Sequence, residues 1–181
     1  VVLAEHLSAA PLIRSYRLEQ ALGLPASRKV WIQDYGWTPS GSFKCMGALN
    51  WMANNCEKIG DRPVVAHSSG NFASGLAYAG SRFNKRVTIV MPESAPKVKF
   101  DLTRSFGAEI QTYDITTDHE TQARATLTAE IVENQNGVRA SPYGDPYVIA
   151  GNGVGGVEIG DTLRQQGRSV SHFFCQVGGG G

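Results

Sequence analysis

The strongest constraint in this sequence is an alternation. Short β-branched runs are separated by stretches whose apolar residues recur at helical spacing. Lys29–Asp34 alternates like a strand, and 63–66 (Pro-Val-Val-Ala) is a short buried-strand candidate. Arg86–Met91 (Arg-Val-Thr-Ile-Val-Met) is the clearest strand, and Pro92 closes it. Pro96 then suits the first turn of a helix that carries Val98, Leu102 and Phe106 on one face and stops at Gly107. Residues 109–113 form the next strand. Asp118 is placed to cap a helix with Ala123, Leu127 and Ile131 on its apolar face, ending near Gly137. A last strand is expected over 170–177, running into four terminal glycines. Strand and helix in strict succession predict an α/β fold with open, mostly parallel sheets flanked by helices.

Composition narrows the function classes. A chain of 181 residues is long enough for a substantial core, burying about 70% of its unfolded surface. With 17 basic and 16 acidic side chains and a net charge of +1, it has no electrostatic footprint for nucleic acid or an anionic membrane. No apolar run approaches the ~20 residues that span a bilayer. Three cysteines (Cys45, Cys56, Cys175) form no paired framework, which points to a reducing, cytoplasmic setting. The first residues include no Met, and four glycines cannot close a fold, so the sequence reads as an N-terminal piece of a longer protein, cut at both ends.

Glycine is enriched, at 21 of 181 residues, or about 12% against a usual ~7%. Two clusters, 151–156 and 178–181, suggest loops where backbone approaches a ligand. Gly151-Asn-Gly-Val-Gly-Gly156 spells G-x-G-x-x-G. A dinucleotide site also needs an acidic residue about 20 positions on. Residues 171–176 supply none, and Pro146 interrupts the leading strand, so this reading is rejected. His6, His67, His119 and His172 are far apart, so no metal site is expected. There is also no G-x-S-x-G nucleophile elbow.

Three constellations carry chemistry. In Thr38-Pro-Ser-Gly-Ser-Phe-Lys44, a polar turn delivers one lysine to the start of a helix. A helix N-terminus favours the neutral, nucleophilic amine, although the residue taken alone is also an ordinary first-turn lysine. In Ser68-Ser69-Gly70-Asn71, a strand–loop–helix junction offers hydroxyls, backbone N–H groups and a side-chain amide to a carboxylate, phosphate or phenolate; alone it reads equally as a plain N-cap. In Gly178–Gly181, backbone amides after a strand suit a phosphate, the alternative being a flexible tail.

In their order and spacing these three elements resemble the fold-type II pyridoxal-phosphate enzymes, the tryptophan-synthase-β-like group, and most closely its threonine and serine dehydratases. The segments Val90-Met-Pro-Glu93, Pro96-Lys-Val-Lys99, Phe106-Gly-Ala-Glu109 and Asp145–Gly153 with Glu158-Ile159 extend the similarity over Pro11 to Gly181. The resemblance implies a pyridoxal 5'-phosphate cofactor held as a Schiff base on Lys44, with Phe43 beside its ring, Asn71 on its phenolic oxygen and Gly178, Gly179, Gly180 and Gly181 on its phosphate. It implies that Ser68, Ser69 and Gly70 hold the substrate carboxylate, and that Ser69 takes the position of a base on the opposite cofactor face. It further implies residues 1–67 and 146–181 in a large domain and 68–145 in a small one. The partner of the pyridine nitrogen would lie beyond residue 181, and the full-length protein would be a homo-oligomer.

The expected activity is a lyase reaction, β-elimination from a small hydroxy-amino acid such as threonine or serine. The alternatives are a threonine-synthase-like reaction on a phosphorylated amino acid and a non-catalytic module, either a relative of the same pyridoxal-phosphate fold or an anion-binding domain. Cys45-Met46 and Phe72 depart from the group's usual residues, a polar or charged pair and a histidine, and both bear on the substrate.

Overall fold

A computed structural model describes residues 2–117, 119 and 122–177; Asp118 and Gly178–Gly181 lie outside the described residues. At its centre is a four-stranded parallel sheet in the order β5-β4-β3-β6. Its strands are β3 (Val64–His67), β4 (Val87–Pro92), β5 (Glu109–Tyr113) and β6 (Val138–Arg139). Val64 pairs with Val87 on one side and Val138 on the other, and Ile89 pairs with Ile110. Every residue of β4 is buried, as expected of a parallel strand covered on both faces.

The two-residue period of a strand divides those side chains between two cores. Val64, Ala66, Val87, Ile89 and Met91 face a large cluster with α2 (Lys44–Ile59) and α3 (Asn71–Arg82), which supply Met52, Leu49, Leu76 and Ala73. Val65 and Val90 face the other way, onto Ile131 and Leu127 of α5 (Ala123–Asn134). Burying one Leu, Ile or Met in such a cluster stabilises by ~1.5–3 kcal/mol.

Helix α4 (Lys97–Ser105) follows Pro96 and ends before Gly107, which adopts a φ of +85°. The strands expected at 63–66, 86–91 and 109–113 form within one residue of their expected limits. The strand expected over 29–34 shortens to β2 (Trp31–Gln33) and lies outside the parallel sheet. It pairs antiparallel with β1 (Leu12–Arg14), and α1 (Tyr16–Ala21) connects the two. Glu19 ties this unit together, accepting from Arg14 Nε and Nη2 and from the Val30 backbone N–H.

Two expectations are corrected. Residues 170–177 form no strand. No strand among the described residues lies beside them, and Phe174 is 88% exposed. The glycines of 151–156 are not a loop but the middle of a helix, α6 (Pro146–Gln165). Asp145 caps it by accepting from Tyr147 N at 2.8 Å, and Pro146 occupies its first turn, where the missing N–H costs nothing. A Cβ at Gly151 would stand 2.6 Å from the Met46 carbonyl oxygen and 2.8 Å from Gly47 Cα, so Gly151 permits close packing of α6 on α2. The helical setting also removes the motif from any dinucleotide role.

Candidate active site

The site is built where α2 and α3 begin. Upstream of α2, Thr38 Oγ1 accepts from Ser42 N and donates to the Tyr35 carbonyl, each at 2.8 Å, which folds 38–42 into a tight turn. Ser42 Oγ then accepts from Lys44 N at 3.1 Å and satisfies one of the helix's open donors. Asn50 Nδ2 donates to the Tyr147 carbonyl and Trp51 Nε1 to Asp145 Oδ2, fixing α2 against the start of α6.

Lys44 is half-buried, its Nζ 5.0 Å from the centroids of both the Phe43 and Tyr143 rings. Burial lowers its pKa from the usual 10.5 and favours the neutral amine. The sequence pointed to the helix N-terminus as the cause; in the structure desolvation is what lowers it.

The 68–71 junction follows from the sheet. Ser68 N donates to the Val90 carbonyl and continues the β3–β4 ladder by one residue. The chain then turns, with Ser68 Oγ accepting from Gly70 N at 3.3 Å, and Asn71 opens α3. Ala73 N donates to the Gly70 carbonyl at 3.0 Å, while the N–H groups of Asn71 and Phe72 lie before the first bond of α3 and point along its axis. Ser69 and Asn71 are exposed. Asn71 Oδ1 accepts from Lys99 Nζ of α4.

Gly75 brings the two helices together. A Cβ there would stand 3.0 Å from Cys45 N and Cα and 3.1 Å from the Lys44 carbonyl carbon. Gly75 lies one turn beyond Asn71 on the same face of α3. The starts of both helices therefore meet at one junction, with Lys44, Phe43 and the 68–71 turn around it. The structure brings these sequence-predicted residues together; Gly178–Gly181 fall outside the described residues.

Tyr143 was not singled out from the sequence. It stands in the loop between β6 and α6, where Ser141 Oγ accepts from Tyr143 N and Gly144 N. The two-residue β6 gave no periodic signal. The available clue was topological: β6 runs parallel to β3, so the loops after both strands open at the same sheet edge, where open α/β sheets bind ligands.

A half-buried amine of lowered pKa, a flanking aromatic ring, a side-chain amide and an open helix N-terminus suit a planar, anionic carbonyl cofactor, and this donor set fits pyridoxal phosphate. Residues 3–181 match the family described as pyridoxal-phosphate dependent enzyme, and the chain belongs to that family. It is 33% identical over 177 residues to the mitochondrial threonine dehydratase of Schizosaccharomyces pombe, which covers 98% of this chain and 28% of the relative. It is 31% identical to the L-threo-3-hydroxyaspartate ammonia-lyase of Saccharomyces cerevisiae, covering 99% of this chain and 51% of the relative. Among solved structures, the processed threonine deaminase isoform 2 of Solanum lycopersicum superposes with a TM-score of 0.78 at 32% identity, over 90% of this chain and 45% of that one. The chain thus spans between about a quarter and a half of the length of these relatives.

Proposed function

We propose that the protein is a lyase that eliminates the β-hydroxyl of a small hydroxy-amino acid such as threonine or serine, releasing ammonia and an α-keto acid. The observation that carries this reading is the half-buried Lys44 at the junction of α2 and α3, its pKa lowered by burial. Names of relatives in the dehydratase and ammonia-lyase class support the substrate class.

Pyridoxal phosphate, when bound, supplies the electron sink that makes the substrate's α-proton acidic. Lys44 Nζ would hold it covalently and, once freed by the substrate's amine, take that α-proton. Phe43 would lie beside the ring, the Asn71 amide would donate to the phenolic oxygen, and backbone amides of Gly178–Gly181 would hold the phosphate. Ser68, Ser69 and Gly70 would bind the substrate carboxylate through the two serine hydroxyls and the backbone of the turn at the start of α3. Ser69 would stand on the opposite face as a second proton carrier. The rings of Phe43 and Tyr143 would flank the amine, each with its centroid 5.0 Å from Lys44 Nζ.

By the same reading, residues 1–67 and 146–181 would belong to the large domain and 68–145 to the small one. The full-length protein would be a cytoplasmic homo-oligomer. No described helix is long and apolar enough to cross a membrane.

The test is a substrate comparison with the full-length protein. The reading expects keto acid and ammonia from L-threonine or L-serine, with turnover lost in Lys44→Ala. Turnover only of a phosphorylated amino acid, or none at all from a cofactor-loaded protein, would reject it.

A further inference from the structure

We propose that Lys99 is a positioning residue for the candidate active site: it sets which end of the Asn71 side-chain amide faces the cofactor. This inference rests on the reading of Asn71 as the donor to the phenolic oxygen.

An asparagine amide presents an acceptor at one end and two donors at the other, and the first residue of a helix can turn either end inward. Lysine has three donors and no acceptor. Lys99 Nζ lies within hydrogen-bonding distance of Asn71 Oδ1, so that contact is possible only with the amide oxygen turned toward α4. The Nδ2 group is then left for the junction, where a phenolate needs a donor. The same contact polarises the amide, because its oxygen accepts from a cation, and strengthens Nδ2–H as a donor.

The geometry that delivers Lys99 is itself fixed. Tyr78 of α3 and Phe106 at the end of α4 meet edge to face at a ring separation of 5.3 Å, clamping the two helices. Lys99 N donates to the Pro96 carbonyl at 2.8 Å, in the first turn of α4. The neighbouring Lys97 is engaged elsewhere, with Asp101 on the same helix, and is an internal control for removal of one positive charge from α4.

The experiment uses the full-length, cofactor-loaded protein and two readouts besides turnover: pyridoxal phosphate affinity and the absorption spectrum of the bound cofactor. Lys99→Met is expected to weaken affinity about fivefold, the order for losing one charge-assisted hydrogen bond at a solvent-accessible site. It should shift the spectrum in the same direction as Asn71→Ala. Lys99→Arg should restore both properties, and Lys97→Met should change neither. In the double variant Lys99→Met/Asn71→Ala, the effects should not add, since Lys99 acts through Asn71. Additive effects, or a Lys99→Met spectrum identical to that of the unmodified protein while Asn71→Ala shifts it, would overturn the role of Lys99 and leave the Asn71 reading intact. If Asn71→Ala itself leaves the spectrum unchanged, the underlying reading fails first, and the proposal with it.

Discussion

Strand β4 and the segment 170–177 are similarly rich in apolar residues, yet they end in opposite environments. All six residues of β4 are buried between β3 and β5, with helices over both faces. In 170–177 there is no ladder, and Phe173 and Phe174 stand in the open. A strand is a relation between segments: apolar content makes a run available for pairing, but only a neighbour supplies the hydrogen bonds and the covered face. The sheet around β3 and β4 has that neighbour on each side, and for this reason it can hold the turns after its strands firmly enough to build a site.

Substitutions can break this contrast, beginning with the largest expected effect. Ile89→Ala opens a cavity under α3 and should cost about 3–4 kcal/mol in denaturant unfolding. A loss under about 1 kcal/mol would show that β4 does not anchor the core. Gly151→Ala forces a methyl group against the Met46 carbonyl and should cost about 2–3 kcal/mol while displacing the start of α2. Near-normal stability and cofactor affinity would contradict the close helix contact.

Asp145→Ala removes both the cap of α6 and the Trp51 partner, an expected loss of about 1–2 kcal/mol. Phe174→Ser should change the stability of the 181-residue chain by less than about 0.5 kcal/mol, which the same unfolding experiment reads directly. A larger loss would mean that the segment is packed after all.

The N-terminal pair of strands provides a test by pH. Hydrogen bonds from Arg14 and from Val30 N hold the Glu19 carboxyl at about 2, below its usual 4.5. Its folded pKa is depressed, so its contribution is fully present above about 4.5 and is lost as pH falls through about 2. The stability difference between the parent and Glu19→Gln should therefore shrink over that window. A difference independent of pH there would contradict the pairing.

Much of the site could be read from residue order. The polar turn before Lys44 and the Ser-Ser-Gly-Asn junction are local devices, each complete within a few residues, and local signals survive in a linear reading. Gly75 lies four residues beyond that junction, but its role depends on α2, some 30 positions away in sequence, and only packing reveals it. Tyr143 follows a strand of two residues, too short to carry a period. The glycines of 151–156 misled for the opposite reason. Glycine is equally at home in a ligand loop and at a close helix crossing, and the deciding fact, α2 pressed against Gly151, is tertiary. The 170–177 run failed as a strand because pairing partners do not appear in a segment's own pattern.

The central claim is that the junction of α2 and α3 presents Lys44 as the amine that takes a carbonyl cofactor. The most direct measurement is to incubate the folded full-length protein with pyridoxal phosphate, reduce with borohydride, and map the modified peptide by mass spectrometry as pH is varied. The account predicts one adduct, on Lys44, absent in Lys44→Ala, whose formation rises with pH at a midpoint below the 10.5 of an ordinary lysine. An adduct on another lysine, or none on the folded full-length protein, would contradict it.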